Sequence, residues 1–255
     1  LFDLVDESDT MEVDGVDKGD YLKVVDQCYM CDLCYMTKCP YVPPHEWNVD
    51  FPHLMLRAKA QRYKNDGASL RDNVLTSTDT VGKLATIPVV DITVNALNNN
   101  GLFRNALETT LGVHKEAPLP EYHSKTLRKQ FVSDTITPKP VGRTTGKIAF
   151  YATCYGNYNT PHLGEDFSTV FRHNGIHMEL VTKEACCGMP KFELGDLDAV
   201  HRLKEKNIPV LAKLVDEGFD LTAPIPSCVL MYKQELPLMY PDDPDVLKVQ
   251  KAFFD

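Results

Sequence analysis

The 255 residues are 43% apolar and 25% charged, with a formal net charge of −9 and a mean hydropathy of −0.26. That composition is globular, long enough for one large domain or two ordinary ones, and its acidic balance argues against a nucleic-acid binder, whose footprint would be basic. No apolar run approaches the roughly 18 residues of a membrane-spanning helix. The chain opens on Leu1-Phe2-Asp3, with neither an initiating Met nor a basic leader, so it is read as a piece of a longer protein.

Residues 1–20 carry eight acidic side chains against a single Lys, the pattern of a solvated loop. Tyr21, Val24 and Val25 then predict a short helix before a cluster of cysteines, and Pro40, Pro43 and Pro44 break regular structure after it. Asp50 followed by Phe51-Pro52 marks a helix start, with Asn65-Asp66-Gly67 as its end. Residues 69–99 read as largely helical with a break at Pro88, and 101–112 as a helix stopped by Gly112. The five Pro and Gly residues between 118 and 142 (Pro118, Pro120, Pro138, Pro140, Gly142) predict a connector over the surface from 114 to 146.

Beyond the connector the texture changes. Lys147–Thr153 and His177–Thr182 read as buried strands, His162–Asn174 and Asp196–Glu217 as helices, and Leu221–Ile225 as a third strand. Alternating strands and helices predict a parallel sheet covered by helices. The expected class is α+β: a helical domain at 1–113, a connector at 114–146 and an α/β domain with a small parallel sheet at 147–255.

The eight cysteines are unevenly placed. Residues 28–40 read CYMCDLCYMTKCP, or Cys-x2-Cys-x2-Cys-x4-Cys-Pro, with thiols at Cys28, Cys31, Cys34 and Cys39. Disulfide geometry disfavours such crowding, whereas two-residue gaps let one tight loop surround a compact inorganic core with soft thiolates. The run therefore predicts a [4Fe–4S] cluster. Its four-residue final gap, one longer than the common bacterial spacing, leaves two roles for Cys39: completing this cube or reaching a second one. Structural zinc is the alternative, although zinc more often pairs two separated Cys-x2-Cys knuckles. The flanking helices suit a helical ferredoxin architecture.

The second set follows the strands. Cys154 succeeds the first, Cys186-Cys187-Gly188 the second and Cys228 the third. Carboxyl ends of strands in an open α/β sheet converge on one crevice, which would gather four thiols. Three readings stand here: a further iron–sulfur cluster, a redox-active thiol pair, and buried structural cysteines.

Cys154-x31-Cys186-Cys187-Gly188-x39-Cys228-x2-Met231 resembles the cysteine-rich CCG domain. That domain is shared by heterodisulfide reductase, the iron–sulfur subunit of anaerobic glycerol-3-phosphate dehydrogenase and related oxidoreductases. The resemblance implies that a two-cluster helical ferredoxin precedes CCG domains, with residues 28–40 as its second motif. It also implies that Cys154, Cys186, Cys187 and Cys228 ligate an additional iron–sulfur cluster. Electrons would then pass from a partner dehydrogenase or flavoprotein subunit to a quinone or disulfide acceptor. The location implied is cytoplasmic, at the inner face of the cytoplasmic membrane through peripheral contact. Met231 departs from the pattern, which usually has a second Cys there; a thioether is a neutral, weaker ligand. Disulfide reduction at the CCG cluster itself is the rival enzymatic reading, and a zinc-stapled interaction module the non-redox one.

Other residues carry blander expectations. His45 and His53 have turn or helix-face roles, His162 a capping or surface role. Met30, Met36, Met55, Met189, Met231 and Met239 read as core filler. Neither a phosphate-cradling glycine loop nor a Ser-His-Asp signature is present in the sequence.

Overall fold

The structure, a computed structural model, describes residues 2–31, 33, 34, 36, 39–133 and 135–254. It packs as two compact units, one formed by 1–69 with 190–197 and the other by 70–189 with 198–255.

The first unit contains α1 (Phe2–Asp6), a 3-10 turn (Val13–Gly15), α2 (Tyr21–Asp26) and α3 (Phe51–Asp66). The acidic leader is thus not simply a loop. Its charges stay solvated, but hydroxyl groups tie the backbone: the Ser8 hydroxyl donates to the Val5 carbonyl at 2.7 Å, and that of Tyr21 to the Val13 carbonyl at 3.2 Å. The start of α3 follows the sequence expectation. Asp50 accepts from the His53 N–H at 3.2 Å, and its other oxygen meets His53 Nδ1 at 2.7 Å. Gly67, at φ 72°, supplies the left-handed stop. Arg62 of α3 pairs with Asp26 of α2 at 2.6 Å.

The second unit begins with α4 (Leu70–Leu75), α5 (Thr78–Ala85), α6 (Val90–Asn98) and α7 (Gly101–Leu111). Pro88 breaks the run as expected: Val89 takes φ 76°, and α5 and α6 are bent by 109°. These helices share a compact unit with the sheet, although composition groups them with the cysteine run in 1–113. Gly82 of α5 lies flush against the Tyr158 ring, which a Cβ would strike. An apolar stripe announces a helix without naming its packing partner.

The connector is not confined to the surface. It forms α8 (Leu127–Gln130), and Leu127, only 1% exposed, enters a core with Phe150, Ala152 and Met178. Gly164 leaves the space that Leu127 occupies. Arg104, itself buried, donates to the carbonyls of His114, Lys115 and Ala117 at 2.6–2.9 Å and so anchors the connector's entry.

Four parallel strands follow: β1 (Lys147–Phe150), β2 (His177–Leu180), β3 (Asp220–Thr222) and β4 (Phe253–Phe254), in the order β2-β1-β3-β4. Their register pairs Ile148 with both Met178 and Asp220, and Leu221 with Phe253. The helices between these strands are α9 (Cys154–Tyr158), α10 (His162–His173), α11 (Met189–Leu194), α12 (Leu197–Asp216), α13 (Pro226–Leu230), α14 (Leu236–Met239) and α15 (Pro244–Ala252). A π-helical turn, Met231–Glu235, joins α13 to α14. The α+β expectation holds. The helical run after Cys228 and the two-residue β4 were not anticipated, because β4 is too short to show a period.

The entry to α15 gives a modest prediction. Asp243 accepts from the N–H groups of Asp245 and Val246 at 3.1 and 3.2 Å and meets Lys204 Nζ at 2.5 Å. The hydrogen bond from Lys204 holds the Asp243 carboxyl below its ordinary value. Because the folded state binds that proton less tightly than the unfolded chain, the contribution is present above about pH 4 and is lost as pH falls through the folded value. Asp243→Ala is expected to cost about 1 kcal/mol near neutrality. In urea titrations the gap from wild type should narrow as pH is lowered towards 3.

Candidate metal centre

The amino-terminal thiols lie in the segment between α2 and α3. Cys31 and Cys34 are exposed, Cys28 and Cys39 half-buried, and none of the eight cysteines is in a disulfide. The Cys39 N–H donates to the Cys34 carbonyl at 3.0 Å, and the Cys28 N–H to that of Val25 at 3.3 Å. Lys59 of α3 donates to the Cys28 carbonyl at 2.6 Å, so α3 braces the loop at its first cysteine. Met30 takes φ 52°, a turn that non-glycine residues seldom adopt. Asp32, Tyr35, Thr37 and Lys38 of the run lie outside the described residues. Downstream, Tyr41 stacks on Trp47 at 4.7 Å with His45 edge-on to both rings, which gives His45 the turn role expected of it.

The second set is gathered by the sheet. In the order β2-β1-β3-β4 the strand sequence reverses at β1 and β3, and the crevice beyond their carboxyl ends is where such folds collect ligands. Cys154 opens α9 just past β1, Cys186 and Cys187 follow β2, and Cys228 sits on α13 past β3. Cys154 Sγ lies 3.9 Å from Cys186 Sγ, and Cys187 Sγ lies 3.2 Å from Cys228 Sγ. Cys186, Cys187 and Cys228 are buried and Cys154 is half-buried.

Backbone strain presents these thiols. Thr153, at φ 63° and ψ 164°, occupies a region nearly restricted to glycine, and its side chain caps α9 by accepting from the Gly156 N–H at 3.0 Å. Gly188 takes φ 102°, and a Cβ there would meet Met231 Cε at 3.7 Å. The fully buried Met231 therefore lies against the Cys186-Cys187-Gly188 turn.

A polar frame holds the Cys186 loop. Asn207 accepts from the Ala185 N–H at 2.8 Å and donates to the Cys186 carbonyl at 3.0 Å. Tyr151 donates its hydroxyl to the Ala185 carbonyl, and Asp79 accepts from the Cys186 N–H at 2.7 Å. Thr78 donates to Cys186 Sγ at 3.5 Å. Glu184 is ion-paired with Arg128 of α8, and burial pushes its carboxyl up to about 7 against the opposing pull of that guanidinium.

Protonation is shared unequally. Hydrogen bonds from Cys154, then Cys187, hold the Cys186 thiol well down, while the same contacts and burial push Cys154 and Cys187 up. Thiols bind metal as thiolates, so loading this set releases protons. Among the described residues, no three ligating side chains converge as they would around a single ion. One tetrahedral ion would hold all its sulfurs about 3.8 Å apart, whereas these meet as successive pairs. A donor set of sulfur alone, soft and shielded from water, fits a multi-iron core.

Several of these supporting residues escaped the sequence reading. Thr78 and Asp79 lie more than a hundred positions from Cys186, with no local signal. Asn207 did leave one: it falls among Val200, Lys204, Ile208 and Leu211 on the buried face of α12. His162, by contrast, is exposed at the start of α10, as expected.

Thiols gathered at the switch point of a small parallel sheet, with glycine at the turn, are the mark of a cysteine-rich domain. The family model described as CCG, cysteine-rich domain, matches residues 148–233, and this segment is a CCG domain. The chain is 29% identical over 191 residues to a subunit of the anaerobic glycerol-3-phosphate dehydrogenase of Escherichia coli K12, covering 74% of this chain and 47% of that one. It is also 29% identical over 117 residues to a subunit of the fumarate reductase (CoM/CoB) of Methanothermobacter marburgensis, covering 45% and 23%. An uncharacterized iron–sulfur protein of Methanocaldococcus jannaschii is 29% identical over 68 residues, covering 27% and 14%. The chain thus spans about half the length of the first of these relatives. No solved structure matches it.

Proposed function

We propose that this chain is the electron-transfer part of an oxidoreductase complex, with Cys28, Cys31, Cys34 and Cys39 holding a [4Fe–4S] cube in a helical ferredoxin-like domain. Cys39 completes that cube or reaches a second one. Cys154, Cys186, Cys187 and Cys228 hold a further cluster in the CCG domain. Such clusters, when bound, accept and release single electrons. The chain's own contribution is to set the thiolates, exclude water from the CCG site and brace its loop. Electrons enter from a partner dehydrogenase or flavoprotein subunit and leave to a quinone or a disulfide.

The observation that carries this reading is the meeting of four sulfurs at one sheet crevice from three separated parts of the chain. Burial of Cys186, Cys187 and Cys228 at 4–5% exposure favours relay over disulfide reduction at the cluster, which requires a substrate to reach it. Among the described residues no single helix is long and apolar enough to cross a membrane. We place the complex in the cytoplasm, at the inner face of the membrane through peripheral contact.

Anaerobic purification with iron, sulfide and zinc assays is the test. The expected material is brown, with iron and acid-labile sulfide in equal amounts and no stoichiometric zinc. Colourless, zinc-loaded protein would replace this reading with that of a stapled scaffold.

A further inference from the structure

Within the compact unit that holds the CCG thiols, the first turn of α5 meets Cys186 at two atoms. Thr78, the first residue of α5, donates its hydroxyl to Cys186 Sγ at 3.5 Å, and Asp79, the second, accepts from the Cys186 N–H at 2.7 Å. The usual destination of a helical threonine hydroxyl is the carbonyl one turn back. Thr86, Thr93, Thr109 and Thr110 follow that rule, each bonding the residue four positions earlier at 2.7–2.9 Å. Thr78 differs because it opens its helix. The residue four positions behind it, Val74, belongs to α4, and its hydroxyl is turned instead to a sulfur 108 positions along the chain.

Packing of the protein itself holds that hydroxyl in place. Gly82, one turn further along α5, lies against Tyr158 of α9, and a Cβ there would fall 2.2 Å from the ring. α9 is the helix that begins with Cys154. Ala85 and Thr86, at the far end of α5, are buried as well. The acceptor, Cys186, is buried, so little water competes with Thr78 for its sulfur. A hydrogen bond in such a site is electrostatically stronger than the same bond in water.

We propose that Thr78 keeps its hydrogen bond to Cys186 Sγ when the CCG site holds its cluster, and thereby raises that cluster's reduction potential. The inference rests on the cluster reading above and adds a residue that tunes it. Hydrogen bonds to the sulfurs are among the factors that set such potentials. On reduction one electron arrives from the donor subunit and negative charge grows on the sulfur, which the O–H dipole stabilises. The proton stays on the threonine oxygen, and no covalent bond forms or breaks. Thr78 is a positioning and tuning residue, since it acts through a ligand sulfur.

The test compares wild type with Thr78→Val and Thr78→Ser, each reconstituted anaerobically. Valine keeps the branched shape without the hydroxyl, and serine keeps the hydroxyl without the methyl. Iron is counted, and the midpoint is found by dithionite titration followed by electron paramagnetic resonance. The CCG signal is identified as the one missing from the Cys186→Ser/Cys187→Ser double variant. The expected result is equal iron in all three, with the reduction equilibrium of the valine variant weakened about fivefold, or about 40 mV for one electron. The serine midpoint should stay near that of wild type. An unchanged or higher midpoint in the valine variant, or an equal fall in both, overturns the proposal. Should Thr78→Val fail to take up iron, Thr78→Ala replaces it under the same criteria. Loss of iron there too would make Thr78 a structural support and overturn its tuning role. If wild type holds no more iron than the double variant, the cluster reading itself fails and takes this inference with it.

Discussion

Cys31→Ser is expected to remove the amino-terminal cube: iron should fall by about four atoms per chain, and the corresponding reduced-state resonance should vanish. A serine oxygen is a harder and far less acidic ligand than a thiolate, so the iron it faces is released rather than held. Cys31 is exposed and lies between α2 and α3, not within their packing, so the substitution should leave the rest of the fold intact. Circular dichroism at wild-type strength together with lost iron identifies a ligand. Cys28→Ser and Cys34→Ser should behave alike, while Cys39→Ser separates its two roles, since loss of a different signal would assign it to a second cube. Full iron with a normal resonance in each single variant would remove this loop from the electron path.

Asn207→Leu should be the most damaging change outside the cysteines. Asn207 is 1% exposed and serves the CCG loop twice, accepting from the Ala185 N–H and donating to the Cys186 carbonyl. Leucine keeps the branching at Cγ and prefers helix, so α12 itself should survive. The loop would be left with a buried N–H and carbonyl that water cannot reach, a loss of about 2–4 kcal/mol. Chemical denaturation of the iron-free protein measures that loss directly. Iron uptake by the CCG site should fall as well, because Cys186 would no longer be held on its backbone. Asn207→Asp, which keeps the acceptor but not the donor, should fall between wild type and leucine. A leucine variant of undiminished stability would show that Asn207 does not brace the loop.

The two cysteine sets were legible in the sequence to very different degrees. Cys28 to Cys39 needs only a few residues of chain, because gaps of two hold thiols near one another whatever the remainder does. The second set is legible only through an inferred strand order: Cys154 and Cys228 are separated by a helix, a strand, two further helices and another strand. Reading each cysteine as the end of a strand placed the set correctly at the sheet crevice, but could not say which sulfurs would touch. Nor could it show that Leu127, within a Pro-rich connector, belongs to the core, since one buried leucine in a four-residue helix has no period to detect.

Local chemistry alone decided the helix boundaries at Asp50, Gly67 and Gly112 and the break at Pro88, because caps and backbone limits act within a few residues. It also carries the proposal of sulfur as the ligand type, through the identity and spacing of the thiols. The tertiary structure decided the Cys154–Cys186 and Cys187–Cys228 pairings and the Asp79, Tyr151 and Asn207 frame. Those contacts join residues distant along the chain, and their geometry exists only once the parallel strands have stacked in register and closed water out of the crevice.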